Sequence, residues 1–266
     1  MLPTMPGLIG FPAFSPFPYG PSAAFAYPLA YPARPPFSLG GASFDFATQH
    51  MPGALSSFPR DGCVILVNNL DETKVTPDVL FTLFGVYADV AKVKILFNKK
   101  ESALVEVMDP QQASIAVSHL EGVPLYGRPL HLMLSRHKSV QLPKDSGGPV
   151  EGRILNKDFS DSNLHRFRKP GSRNFRNIVA PSATLHLSNI PDDVSEDRIK
   201  EIFMKQKMPE ILSFRFLNPK EPKEGRKMAL AQFGSIEDAV YSLIFMHDYK
   251  IDDKLNLRVS FSKLDC

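Results

Sequence analysis

The chain has 266 residues, enough for one or two domains, and a formal net charge of only +3. Its two cysteines, Cys63 and Cys266, exclude a disulfide framework and a zinc site, so a reducing, intracellular compartment is expected. No run approaches the roughly 18 uninterrupted apolar residues of a membrane span, and prolines break the N-terminal apolar stretches before a signal-peptide core could form.

Residues 1–60 hold 12 of the 24 prolines and 11 of the Phe and Tyr residues, but only three charged groups, Arg34, Asp45 and Arg60. Proline removes backbone donors, so this stretch is expected to be a disordered, low-complexity segment. A first domain is expected over 61–143. Its first strand, about 64–69, reads Val-Ile-Leu-Val-Asn-Asn. A helix then starts at Thr76-Pro77, with Thr as N-cap and Pro at the first helical position, and Val79, Leu80, Leu83 and Phe84 recur at helical spacing. Strands are expected at about 90–97 and 102–108, around a polar turn at Asn98-Lys99-Lys100. Asp109-Pro110 caps a second helix, and 130–135 alternates as a fourth strand.

Residues 144–181 read as a connecting segment, and residues 136–181 together carry a net +6. This is the basic part of the molecule, where a polyanion would be steered first. A second domain, 182–266, repeats the order of the first. Its strands lie at about 184–189, 211–217, 227–233 and 255–262, with helices capped by Ser195 and Ser235 and a long polar turn from Asn218 to Gly225. The fold class is therefore α+β, with two β-α-β-β-α-β domains of ferredoxin-like order.

Alternation sorts the strand residues by face. Ile65, Val67, Ala103, Val105 and Val107 turn toward the helices of the first domain, and Leu185 and Leu187 toward those of the second. Leu66, Asn68, Ser102, Leu104, His131 and Met133 face outward in the first domain. His186, Ser188, Met228, Leu230, Arg258, Ser260 and Ser262 face outward in the second. An outer face with aliphatic residues at its centre and Lys, Arg, His and Ser at its rim is the pattern of a binding surface.

The order of elements is that of the RNA recognition motif (RRM), with Leu66, Ser102, Leu104, His186, Met228 and Leu230 where aromatics usually stand. The strings Leu80–Tyr87, Val93–Glu101, Leu164–Ser172, Pro181–Pro191 and Arg258–Lys263 closely resemble the polypyrimidine tract-binding protein family of heterogeneous nuclear ribonucleoproteins. The resemblance covers about residues 62–265 and is to the third and fourth RRMs with their linker. It implies binding of single-stranded, pyrimidine-rich (UC-type) tracts in pre-mRNA, and regulation of alternative splicing and RNA processing. It further implies a nuclear location with shuttling to the cytoplasm, splicing-regulatory protein partners and a monomer. By position it assigns RNA contacts to Leu66, Lys94, Phe97, Leu104 and the extension Arg136-His137-Lys138-Ser139 in the first domain. In the second it assigns them to His186, Arg215, Met228, Leu230, Ser260 and Lys263. It also implies a fifth strand in the first domain, for which Val140-Gln141-Leu142 is the candidate, and interdomain packing through Phe167, Phe175, Val240 and Ile244. The chain departs from the family at Leu217, where an aromatic is usual, and in a longer turn containing Pro219-Lys220-Glu221-Pro222.

Two other readings compete with the first. One is an RRM-based protein-interaction adaptor. The other is an RNA binder preferring CA repeats, as in the hnRNP L group. No nucleophile–base pair, metal cluster or phosphate loop stands out, so a non-catalytic protein without cofactor is expected.

Overall fold

The computed structural model describes residues 62–143, 154–169, 172–217, 226–252, 255–264 and 266. The N-terminal Pro/Phe/Tyr segment and the polar turn 218–225 lie outside the described residues.

The first domain runs β1 (Val64–Asn68), α1 (Pro77–Phe84), β2 (Val90–Leu96), β3 (Lys99–Val107), α2 (Pro110–Leu120), a short hairpin β4 (Pro124–Leu125) and β5 (Arg128–Pro129), β6 (His131–Leu134) and β7 (Asn156–Asp158). A 3-10 turn (Arg173–Asn177) precedes the second domain. That domain comprises β8 (Thr184–Pro191), α3 (Glu196–Lys205), β9 (Ser213–Leu217), β10 (Arg226–Gln232), α4 (Ile236–Met246) and β11 (Arg258–Phe261). The sheets have strand orders β6-β1-β3-β2-β7 and β11-β8-β10-β9, every pair antiparallel.

Helix starts obey local chemistry. The Thr76 hydroxyl accepts from the Val79 amide, the Asp109 carboxylate from Gln111 and Gln112, and the Ser195 and Ser235 hydroxyls from Arg198 and Asp238. Each cap satisfies an amide that the helix leaves free, typically worth about 1 kcal/mol. The repeated Asn after the first strand is structural as well. Asn69 and Asn189 have φ of 65° and 68°, a left-handed conformation that Asn tolerates better than most residues. Their side-chain amides tie the bend down by donating to Pro129 O and Asn256 O.

The fifth strand is present but not where Val140-Gln141-Leu142 placed it. Val140 donates its amide to the Glu106 carboxylate, 2.7 Å away, and Gln141 O accepts from Lys94 Nζ at 2.8 Å. With its polar groups spent on side chains of β3 and β2, this stretch crosses the sheet face instead of extending it. The edge of β2 is filled by Asn156–Asp158, inside the segment read as connector. The β2–β3 turn is also tighter than expected. Leu96 pairs with Lys99, so Phe97 and Asn98 alone form it, and Phe97 stands at the tip.

The buried apolar residues of both domains form one connected cluster. Residues 155–169 and 172–179 are clamped onto the first domain. Phe159 stacks on Phe81 at 4.1 Å, Lys157 pairs with Asp78, the Phe167 amide donates to buried Asp89, and the Tyr87 hydroxyl donates to Val179 O. Helix α4 then packs against α1 and β4. The β4–β5 turn carries Tyr126 and Gly127, both at positive φ as a tight two-residue hairpin requires. This places Tyr126 edge-on to Tyr241 and lets the Gly127 amide donate to Glu237, both on α4. Val240 and Ile244 are buried on the same side of α4 as Glu237 and Tyr241. Phe167 is buried, but Phe175 is 43% exposed and covers only the outer side of the Phe167 ring, 4.6 Å away. The expectation of a buried Phe175 is thus corrected: the 3-10 turn carrying it buries none of its side chains.

Candidate nucleic-acid interface

Cross-strand register turns the outward residues into rows. In the first sheet one row runs Met133–Leu66–Leu104–Lys94–Asn156. In the second the matching row is Ser260–His186–Leu230–Arg215. The row beside the latter is Arg258–Ser188–Met228–Leu217. Both sheets therefore place a leucine of the long central strand, Leu104 or Leu230, between Leu66 or His186 on one side and a cation, Lys94 or Arg215, on the other. Alternation alone turns Met133, Leu66, Leu104, His186, Ser188, Met228, Leu230, Arg258 and Ser260 outward, because a period of two leaves no freedom once one face is buried; Lys94 and Arg215 come from the family resemblance and Asn156 from neither.

In the first domain the two ends of the face differ. Leu66, Leu104 and Lys94 are half-buried, while Phe97 and Met133 are more than half exposed. Ser102 is buried and donates to Asn68 Oδ1 at 2.9 Å, which fixes the floor beside Leu66. At the other end the crossing extension seals the sheet: Val64 and Val140 are buried, and so is Glu106. Lys92 Nζ lies 3.8 Å from the Glu106 carboxylate, giving that buried charge a cation as well as the Val140 amide. Arg136, His137 and Lys138 are exposed along the crossing, and Ser139 is half-buried with its hydroxyl accepting from Gln141. Glu106 was not among the residues picked from sequence, because a single acid in a strand carries no signal of the segment that will cross it. Glu106→Ala is expected to unlatch the extension, at a cost of about 1–3 kcal/mol. Hydrogen exchange at the Val140 amide checks this, and protection equal to wild type would refute the latch.

In the second domain His186 is half-buried, and burial followed by the Arg166 guanidinium holds its imidazole below the ordinary histidine range. It is therefore neutral near pH 7, able to offer one donor and one acceptor. Met228, Ser260 and Leu217 are half-buried, and Arg215 and Lys263 are exposed. Leu230 corrects the expectation of an open contact, being 0% exposed. It lies mid-sheet, paired with His186 on one side and Arg215 on the other. Lys227 lies over the Phe216 ring at 4.7 Å.

No group of three or more His, Cys, Asp or Glu side chains suited to a metal occurs among the described residues. Both faces are broad and shallow, with polar atoms at the rim and aliphatic surface within. Such a platform suits flat rings with hydrogen-bonding edges better than a compact metabolite.

Comparison with known proteins agrees with this geometry. A family model described as RNA recognition motif, also called RRM, RBD or RNP domain, matches residues 39–162, and one described as RRM domain matches residues 175–264. Polypyrimidine tract-binding protein homolog 3 of Arabidopsis thaliana is 32% identical over 205 residues, 77% of this chain and 44% of that protein. Heterogeneous nuclear ribonucleoprotein L of Mus musculus is 30% identical over 191 residues, 72% of this chain and 32% of that protein. The chain thus spans less than half the length of either relative. With one motif matched in two successive copies and both relatives similar across most of the chain, the protein belongs to the RNA recognition motif family, as a tandem RRM protein related to polypyrimidine tract-binding protein and hnRNP L.

Proposed function

We propose that the chain binds single-stranded, pyrimidine-rich RNA of UC type through the outward faces of both sheets, and that it acts in the nucleus on alternative splicing of pre-mRNA. The observation that carries this reading is the pair of outward rows: half-buried Leu66, Leu104 and Lys94 on the first sheet, and half-buried His186 and Met228 with exposed Arg215 around the covered Leu230 on the second. Aliphatic side chains support a base by packing, without the wide aromatic plane that favours larger stacked rings. A small base on such a floor keeps its Watson–Crick edge within reach of polar groups at the strand ends and of the extension after β6. The cation at the end of each row, Lys94 or Arg215, meets the backbone. Lys94 is held by Gln141 O, which links the extension to the row and makes the two act together.

A second reading is kept because the relative of hnRNP L type is nearly as similar as the polypyrimidine tract-binding one. It is preference for CA repeats, and it predicts the same platform with a different ranking of sequences.

His186→Ala and Leu104→Asp are expected to weaken binding of UC-rich RNA while the fold survives. The loss of one base-packing contact is worth about 1–3 kcal/mol, or roughly fivefold to a hundredfold in Kd. The aspartate is at the upper end, since it also sets a carboxylate against Lys94 and the phosphates. Fluorescence anisotropy with UC-rich and CA-repeat oligonucleotides measures both affinity and ranking. Unchanged binding in both variants sinks the site assignment. Tighter binding of CA repeats sinks the pyrimidine preference, and no RNA binding at all favours the adaptor reading.

A further inference from the structure

A cleft of about 700 Å³ lies between the connecting segment and the edge of the second sheet. One wall comes from residues 163–166, 174–179 and the other from β8, β10, β11 and the residues after β11. Its volume is that of a site for a nucleotide-sized ligand. Among the described residues six permanent cations line it, Arg166, Arg176, Arg226, Lys227, Arg258 and Lys263, and no Asp or Glu does. Low-dielectric walls that carry one sign of charge focus an attractive field on anions.

Three of these cations already have partners. Arg226 donates to Asn189 Oδ1, Lys227 to Val194 O, and Arg258 has Asp248 at 3.6 Å. Arg166 is different: its Nη1 is buried and has no hydrogen-bond partner. An unmet guanidinium donor away from water is costly, and anionic oxygens are what its fork fits best. The residue is also held in place from all sides. His165 Nε2 lies 2.9 Å from Val90 O, the Phe167 amide donates to Asp89, and the Ser172 hydroxyl and Asn174 side-chain amide both donate to Arg166 O. Backbone anchored on both flanks holds Arg166 at the cleft wall before any ligand arrives, which removes an ordering cost from binding.

The cleft is continuous with the base platform, because His186, Ser188, Met228 and Ser260 line it and also form the outward rows of the second sheet. We propose that the connecting segment is part of the RNA-binding surface of the second domain: a phosphodiester of the strand lying on that sheet enters the cleft, with Arg166 as its principal ligand and Arg176 as a second cation. This rests on the RNA-binding reading above and adds to it a contact outside both sheets. Arg166 also lies close enough to His186 to add, after burial, to the lowering of its imidazole, in keeping with a cleft that adjoins the platform.

The test uses the full chain and a UC-rich oligonucleotide in which each phosphate in turn is replaced by a neutral methylphosphonate. One replacement is expected to weaken wild-type binding about tenfold, the worth of a charge-assisted hydrogen bond, while leaving the binding of Arg166→Met unchanged. The slope of log K against log[salt] should become shallower by about 0.7 in Arg166→Met, one single-strand phosphate contact. Arg176→Ala, at an exposed position, is expected to show the same coupling with a smaller penalty, and it carries the test if Arg166→Met does not fold. Methylphosphonate penalties in the folded variants identical to those of wild type overturn the inference while the RNA-binding reading stands. Failure of wild type to bind the unmodified oligonucleotide overturns both.

Discussion

Ile244→Asp is expected to part the two domains while each keeps its own fold. Helix α4 has two buried stripes. Ala239, Leu243 and Met246, all fully buried, point into the core of the second domain. Glu237, Val240, Tyr241 and Ile244 recur at i, i+3, i+4 and i+7, so they share another face. Glu237 and Tyr241 touch Gly127 and Tyr126 of the first domain, which assigns the buried Val240 and Ile244 to the same interface. A carboxylate there takes the place of a side chain buried beside the equally buried Val240. Forcing it inside costs about 3–5 kcal/mol, more than the association of two tethered domains readily absorbs, so the interface opens and the charge is hydrated. NMR relaxation reads the outcome: two shorter rotational correlation times in place of one, with the amide pattern of each sheet retained. Undivided tumbling in the variant would show that Ile244 is buried for the sake of its own domain. Ile244→Ala, which leaves a cavity and no charge, should weaken the interface without opening it.

The same helix shows which parts of the fold were legible from sequence. Helix caps, strand alternation and the facing of Leu66, Leu104, His186 and Met228 follow from chemistry within a few residues, and the structure has them in place. The pair Val240 and Ile244 could be set apart from the core stripe because a period of 3.6 cannot serve two faces with one set of residues. What alternation does not give is depth. Leu230 faces outward and is still covered, because exposure is set by tertiary neighbours that a period of two does not encode. Segments without a period were harder. Val140-Gln141-Leu142 has the composition of a strand, yet whether its amides find a sheet edge or a carboxylate depends on Glu106, more than 30 residues away. Asn156–Asp158 is polar and forms the fifth strand all the same, since an edge strand of three residues needs backbone pairing more than apolar side chains. Arg166 carries no signal of its own. It becomes conspicuous only when tertiary structure leaves its Nη1 buried and unmet.

Stability is expected to fall by about 3 kcal/mol between pH 6.5 and pH 4, with His247 as the main cause. Burial first, then the nearby Arg258 and Arg166 guanidinium groups, lowers its imidazole from the ordinary 6.5 to about 4, against the raising effects of Val259 and Asp248. His247 Nδ1 lies 3.2 Å from the Val259 amide, from which the bare nitrogen accepts, and 3.1 Å from the Val259 carbonyl, to which a protonated one donates, so burial and the two guanidinium groups decide the balance. The sign follows from proton counting. Below pH 6.5 the unfolded chain takes up a proton that the folded chain refuses, so acid favours unfolding. The slope ends near pH 4, where the folded state binds the proton too. A gap of about two and a half units corresponds to the 3 kcal/mol, and His186, shifted in the same direction, adds to it. Asp71, Asp158 and Glu201 are shifted below their usual values, so their stabilising effect is present above the ordinary carboxylate range and fades in more acid solution. The histidine window therefore lies above most of the carboxylate one. Urea midpoints at pH 7 and pH 4.5, at constant m, separate the two. His247→Gln keeps an acceptor for the Val259 amide and cannot titrate, so its midpoint should be nearly level across the same range. A wild-type midpoint just as level would mean that His247 is protonated in the folded chain, and that the cations beside it do not govern its charge.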